Sequence, residues 1–307
     1  MQDAISRRGL HAEVEGAEDI PNLFRIHYVP INNPKISIII PSKNMADVLD
    51  KCLLSIFNKT TYQNFEVIII DNGSDEVNIK QLYDQWYVQE PERFKVYSYN
   101  IPFNYSKLNN FGCTKATGEL LLLLNNDVEV ITPNWLEELA GQALRSEIGA
   151  VGACLYYPDH SIQHAGVILG IGGVAGHSHK YFPSSEYGYF SRLKMVSNYS
   201  AVTAACLMVR KEVYEEVGGL EEELQVAFND VDFCLKIGEA GYRNIWLPQV
   251  QLFHYESKSR GHEDTPEKKQ RFNSEVEWMR NRWSEVLDND PCYNPNLTKE
   301  REDFSIG

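Results

Sequence analysis

Asp127 stands just beyond a run of five leucines, 120–124, with Asn125 and Asn126 between them and Glu129 after. A short unbroken apolar run bounded by polar residues reads as a strand buried on both faces. A carboxylate at the carboxyl end of such a strand sits where open α/β sheets bind ligands. Hard divalent cations want oxygen ligands, and Mg2+ commonly takes one or two carboxylates plus substrate phosphates. Asp127 is therefore a candidate metal ligand, with Asn125 beside it and Glu129 as a further oxygen donor.

Three more places could do chemistry, and each also has a plain structural reading. Pro41-Ser42-Lys43-Asn44 closes the apolar run 36–40 at a helix start. It would offer backbone N–H groups to a nucleotide, or simply form a turn and cap. Asp71 follows the run 65–70 and could accept from a pyrimidine N–H or a ribose hydroxyl. Asp71-Asn72-Gly73-Ser74 is equally a good turn. Asn229-Asp230-Val231-Asp232 opens a helix. Carboxylates in a first helical turn are ordinary capping; the chemical alternative is a general base aimed at an acceptor hydroxyl. His254 ends a strand and is followed by Lys258 and Arg260. The imidazole could complete a metal site, and the two cations could neutralise a diphosphate. His164, His177 and His179 lie in a glycine-rich stretch without metal-motif spacing, so loop or acceptor-pocket roles suit them better.

The elements that must position these residues alternate. Strands at 36–40, 65–70, 94–99 and 120–124 are separated by helices at 46–57, 77–88 and 105–116. That pattern gives an α/β fold with a right-handed, doubly wound, mostly parallel sheet. The second half is more mixed. It has a helix at 133–144, strands at 150–156 and 202–209, and loops with a hairpin at 162–179. A helix at 230–240, stopped by Gly241, precedes short strands at 245–247 and 250–255 and an amphipathic helix at 266–286. Residues 1–34 read as a linker or packed arm, and 290–307 as a polar, loop-like tail.

A net charge of −14 disfavours nucleic acid or an anionic membrane as the main partner. It leaves room for a nucleotide whose phosphates are masked by a metal. Six scattered cysteines without a CxxC pair read as reduced core residues, which fits a cytoplasmic protein. The chain opens without a signal peptide and has no apolar run of the ~18–20 residues that crosses a bilayer. Membrane work would then be peripheral or through a partner. The helix at 266–286 is expected to pack on the domain, with a dimer contact, an acceptor wall or a membrane-side surface as alternatives.

In order, KISIIIPSKN, FEVIIIDNGSD, GELLLLLNNDVEV, TAACLMVRKEVYEEVGGL, FNDVDFCLKIGEAGYR and FHYESKSRG resemble the inverting family 2 glycosyltransferases of the GT-A fold. The resemblance spans roughly 34–260. The tail is similar to members that build bacterial surface polysaccharides, such as O-antigen, including rhamnosyltransferase-like ones. The resemblance implies a GT-A domain over 35–262, made of a Rossmann-like nucleotide-sugar-binding half (35–130) and a mixed acceptor-binding half (131–262). An arm (1–34) and a C-terminal helix and tail (263–307) would flank it. It further implies that Pro41, Ser42, Asn44, Asn125 and Asn126 line the nucleotide pocket and that Asp71 meets the base. Asp127 would be the retained carboxylate of the Asp-x-Asp motif, and His254 a metal ligand as in some members. Asp230 matches the catalytic base, Asp232 and Asn229 support it, and Lys258 or Arg260 would face the diphosphate. Residues 104–110 would lie near the donor.

Asn125 departs from the pattern, because the family has a carboxylate there. An amide oxygen is a poorer cation ligand, so metal affinity would depend on His254 and on the donor's phosphates, and a histidine tilts the choice from Mg2+ towards Mn2+. The implied reaction moves a sugar from a UDP- or dTDP-type nucleotide sugar to a hydroxyl of a glycan or lipid-linked glycan, with inversion. A homodimer, a peripheral position at the inner face of the plasma membrane, and a place in a larger multi-domain synthase are all compatible with it. Two rival classes stand beside this reading. A nucleotidyltransferase wants a glycine-rich phosphate loop, and 41–44 lacks the glycines. Against a non-catalytic sugar-nucleotide- or glycan-binding module stand Asp71, Asp127, Asp230 and His254 together.

Overall fold

The computed structural model describes residues 1–16, 20–256 and 265–307. In chain order the elements are α1 (Gln2–Arg7), β1 (Ala12–Gly16), β2 (Phe24–Tyr28), β3 (Ile36–Ser42), α2 (Ala46–Lys59), β4 (Phe65–Asp71), α3 (Val77–Gln89), β5 (Phe94–Ser98), α4 (Tyr105–Lys115), β6 (Leu120–Leu124), β7 (Val128–Val130) and α5 (Trp135–Ala143). They continue with β8 (Ile148–Tyr156), β9 (Ile162–His164), β10 (Val167–Leu169), β11 (Ala175–His177), β12 (Ser197–Tyr199), β13 (Cys206–Arg210), α6 (Lys211–Glu216), α7 (Asn229–Glu239), β14 (Arg243–His254) and α8 (Pro266–Asp288).

One large sheet runs in the order β12-β14-β8-β13-β6-β3-β4-β5, with β7 on β14 and β9 on β8. The strands β6, β3, β4 and β5 are parallel throughout, as the alternation of strands and helices required. All five leucines of β6 are fully buried, and each contributes about 1.5–3 kcal/mol of burial. Beyond β6 the sheet turns mixed. β13 runs antiparallel to β6 and to β8, while β14 and β8 are parallel. The expectation of a mostly parallel sheet thus holds for the first half, and the mixed second half follows from β13.

Two boundaries moved for physical reasons. Residues 245–247 and 250–255 are one strand, not two, because Pro248 sits at a register shift between Leu247 and Gln251; a bulge tolerates a residue with no N–H. The strand expected at 202–209 begins only at Cys206, because Thr203 to Ala205 turn their backbone to other partners, described below.

The arm is a docked hairpin, β1 with β2. Its Tyr28 carbonyl lies against Gly141, where a Cβ would collide with it, and the Arg145 guanidinium covers the Tyr28 ring at 4.4 Å. The tail is irregular yet packed. Asp290 is buried, accepting from Leu169 N (2.8 Å) and Ser200 Oγ (2.5 Å). Phe304 stacks on His179 and Tyr189. All six cysteines are free, five of them buried. Among the described residues no helix is long and apolar enough to cross a membrane.

Candidate active site

The carboxyl ends of β3 and β6, the loop before β13, the start of α7 and the end of β14 open on one cleft of about 680 Å³. Pro41, Ser42, Asn44, Asn125, Asn126, Asp127, Asn229, Asp230 and His254 all line it, so most of the candidates converge. The parallel strands place the first group, and the antiparallel β13 returns the chain to the same edge.

Asn44 and Met45 hold φ of 53° and 58°, a conformation that costs energy in non-glycine residues and clusters at ligand-binding turns. The Asn44 side chain is spent on the neighbouring loop: its Oδ1 accepts from Asp75 N (3.0 Å) and its Nδ2 donates to Asp75 Oδ1 (2.8 Å). Asn126 Nδ2 donates to Ser42 Oγ (3.2 Å), locking β6 to β3 at the cleft floor. Asp71 is turned to its own loop, accepting from Ser74 N at 2.7 Å, and its neighbour Asn72 lines the cleft instead.

Asp127 and His254 form the first reactive pair. Asp127 Oδ1 lies 3.1 Å from His254 Nε2 and is buried with no hydrogen-bond donor. His254 Nδ1 sits 2.6 Å from Gln163 Oε1, an acceptor when the Gln163 amide donates to Glu256 Oε2 (3.1 Å). Neutral His254 therefore carries its proton on Nδ1 and directs the Nε2 lone pair at Asp127. Asn125 Nδ2, 3.1 Å from that nitrogen, caps it from one side. A lone pair and an orphaned carboxylate oxygen facing one point are what a divalent cation satisfies, so the residues fit such an ion. No set of three His, Cys, Asp or Glu side chains among the described residues could hold one alone. Among the described residues Asp127 and His254 are the two side chains that face this point, and phosphates would supply further ligands. Glu129 is not among them, because Lys59 (3.0 Å) and Tyr255 Oη (2.8 Å) hold its carboxylate in a neighbouring groove. Lys258 and Arg260 lie outside the described residues.

Asp230 forms the opposite wall. Its Oδ2 accepts from Ala204 N (3.1 Å) and its Oδ1 from Val231 N (2.9 Å). Burial pushes its carboxyl above the ordinary aspartate value, only partly offset by these N–H groups and by Thr203. Proton affinity above that of a free carboxylate is what a base needs. α7 is held from behind by α8. Trp283 Nε1 donates to the buried Asp232 (2.9 Å), and Glu275 accepts from Val226 N and Ala227 N in the loop that leads into α7. Asp232 thus ties the two helices together and does not face the cleft. Asn229 Nδ2 donates to Val226 O (3.0 Å) in the same loop.

One backbone seam joins the two walls. Asn125 N donates to Ala205 O at 3.1 Å, and the N–H of the preceding residue, Ala204, holds Asp230. Tyr105 Oη, at the start of α4, donates to Ala204 O (2.8 Å). Among the described lining residues Glu76, Asp127, Asp230 and Glu256 face only Lys43 and Lys180, so a diphosphate entering here would need added positive charge.

Residues 37–218 match the family model described as "Glycosyl transferase family 2". The chain belongs to glycosyl transferase family 2. Over 288 residues this family 2 domain is 50% identical to the uncharacterized protein y4gI of Sinorhizobium fredii, covering 94% of the chain and 32% of that protein. It is 37% identical over 309 residues to the O-antigen biosynthesis protein RfbC of Myxococcus xanthus, covering 100% of the chain and 23% of that protein. The chain therefore spans about a third and a quarter of these two relatives. Its fold is similar to that of the mannosyltransferase PcManGT from Pyrobaculum calidifontis, solved with GDP-Man and Mn2+, at TM-score 0.59 and 18% identity over 81% of this chain and 66% of that one. The likeness shows the GT-A fold.

Three contributors to this cleft escaped sequence reasoning. Gln163 is a lone amide on a short strand, and nothing local marks it as the partner of a histidine 91 residues away. Ala204 acts through its backbone N–H, which has no side-chain signature. Tyr105 was passed over within 104–110, although a tyrosine at the start of a helix could have suggested a hydroxyl reaching outward.

Proposed function

We infer that this domain is an inverting glycosyltransferase that moves a sugar from a nucleoside-diphosphate sugar, of the UDP or dTDP type, to a hydroxyl of a glycan or lipid-linked glycan acceptor in bacterial surface-polysaccharide synthesis. The observation that carries this reading is the meeting, in one cleft, of the Asp127–His254 acceptor pair with the hydrogen-bonded Asp230 carboxylate. The O-antigen relative and the Mn2+-bound structural neighbour point the same way.

Asp127 and His254 would hold a divalent ion, Mn2+ or Mg2+, together with the donor's phosphates. When bound, that ion supplies positive charge to the departing nucleoside diphosphate. Ser42, the 41–44 backbone, Asn72, Asn125 and Asn126 would line the nucleotide end. Asp230 orients the acceptor hydroxyl and takes its proton as the oxygen attacks the anomeric carbon from the opposite face. A single displacement inverts the configuration and needs no sugar–enzyme bond. Gln163 holds the His254 ring by its Nδ1–H. Attachment to further domains, and a position at the inner membrane face beside a lipid-linked acceptor, belong to the same reading.

The test is a panel of UDP-, dTDP- and GDP-sugars with Mn2+ or Mg2+. A bound donor should raise the melting temperature by mass action, and transfer to a glycan acceptor should follow with inverted anomeric configuration. Binding without turnover of any donor would leave a sugar-nucleotide-binding module; retained configuration would refute the single displacement. A second measurement isolates Gln163. Gln163→Leu removes the acceptor for His254 Nδ1, and calorimetric Mn2+ affinity in the presence of donor should fall by about 10–100-fold. Unchanged affinity would show that the imidazole does not need this support.

A further inference from the structure

His164 and His177 take no part in the chemistry above, yet one backbone amide decides where both carry their protons. The Thr203 N–H can only donate, and it meets His164 Nε2 at 3.3 Å. That nitrogen therefore bears a lone pair, and the ring proton of His164 lies on Nδ1. His164 Nδ1 faces His177 Nδ1 at 2.8 Å, with the rings edge to face at 88°. His177 Nδ1 must then accept, and its own proton lies on Nε2. A second proton on His164 would set an N–H against the N–H of Thr203. A second proton on His177 would set its Nδ1–H against that of His164. Burial works in the same direction. It holds His164 well below the ordinary histidine range and His177 at about 4, where the charge of Lys180 adds repulsion.

His164 is fully buried, whereas His177 lines the cleft. With Nδ1 turned to His164, His177 meets the cleft with its other edge, the one bearing Nε2–H. The peptide that sets this relay, Thr203 N–H, is adjacent to the Ala204 N–H that holds Asp230. We propose that the His164–His177 pair presents a fixed, neutral Nε2–H donor to a sugar hydroxyl bound in the same cleft as Asp230. His177 is a substrate-binding residue and His164 its positioning residue. A neutral donor suits a hydroxyl because it fixes direction without drawing in the diphosphate that a cationic imidazole would attract. The inference rests on the cleft being a glycosyltransferase centre, and the hydroxyl can come from the transferred sugar or from the acceptor.

Two experiments decide it. In the 15N-labelled free protein, long-range 1H–15N NMR should show His177 with its proton on Nε2 and His164 with its proton on Nδ1, both unchanged between about pH 6 and 8. A His177 proton on Nδ1, or a charged His177 at neutral pH, would overturn the proposal. In transfer assays His177→Ala should raise one KM about 10-fold with a smaller change in kcat, and His177→Gln, which keeps an N–H, should recover part of it. A rise in donor KM, with a parallel fall in donor hydrolysis, assigns the hydroxyl to the transferred sugar. A rise in acceptor KM alone assigns it to the acceptor. His164→Ala should give a smaller KM change and let His177 titrate in the KM–pH profile. Folded His177→Ala with both KM values unchanged would sink the idea. Absence of transfer by the wild-type chain would count against the function proposed above, while the tautomers are read in the free protein and stand or fall on their own.

Discussion

Asp230→Asn is expected to lower kcat by about 10²–10⁴-fold while leaving the calorimetric affinity for donor and metal unchanged. The amide keeps an oxygen for one of the two N–H groups, Ala204 or Val231, which donate to different oxygens of the carboxylate, and it cannot take a proton. A second, opposite effect follows from burial. The folded-state pKa of Asp230 is raised, so its contribution to stability is complete below the unfolded carboxylate range and is lost as pH rises through the folded value. At neutral pH the native chain carries that penalty and the asparagine variant does not. Thermal melts should therefore show wild type losing stability relative to Asp230→Asn as pH rises from about 4 to 7. Near-normal turnover would remove Asp230 as the base; a stability difference that does not change with pH would contradict the burial argument. The same displaced pKa places the acid limb of the wild-type kcat/KM profile above the ordinary aspartate value near 3.9.

Asp127→Asn should likewise split stability from function. In the native protein Asp127 Oδ1 faces the His254 lone pair with nothing between. An amide there removes a buried carboxylate oxygen that has no donor, and such an unsatisfied group costs about 1–3 kcal/mol. Without metal the variant should melt higher than wild type. With Mn2+, donor affinity should drop by at least about 100-fold, since a direct ligand matters no less than a supporting one. Calorimetry with and without Mn2+ reads both. Equal Mn2+-dependent donor affinity in the two proteins would exclude the pair as the ion's seat.

The Rossmann-like half was legible because its signal is periodic: four apolar runs, three helical stripes and polar residues at each strand end. The positions of Ser42, Asn126 and Asp127 followed from that alone. Asp230 was legible as a residue and illegible as an environment, because its partners come from Thr203 and Ala204, which read as strand and are loop. Asp232 was expected to support Asp230 from two residues on, but the helical period turns it to Trp283 on α8. Asn44 and Asp71 were marked for a nucleotide by position, and the structure spends their side-chain oxygens on the 74–76 loop. The packed arm and tail were hidden for another reason. Their sequences are polar, and what holds them is a carbonyl against Gly141, a buried Asp290 and a ring stack, none of which is periodic.

The seam from Asn125 through Ala205 and Ala204 to Asp230 has a consequence for how such enzymes diversify. A pairing of two adjacent strands sets the span between the end that would grip the leaving group and the end that would activate the nucleophile. Loops that choose a sugar and loops that choose an acceptor can then change separately, like interchangeable fittings on one spindle, and new linkages can arise in paralogues without any retuning of the stroke between them.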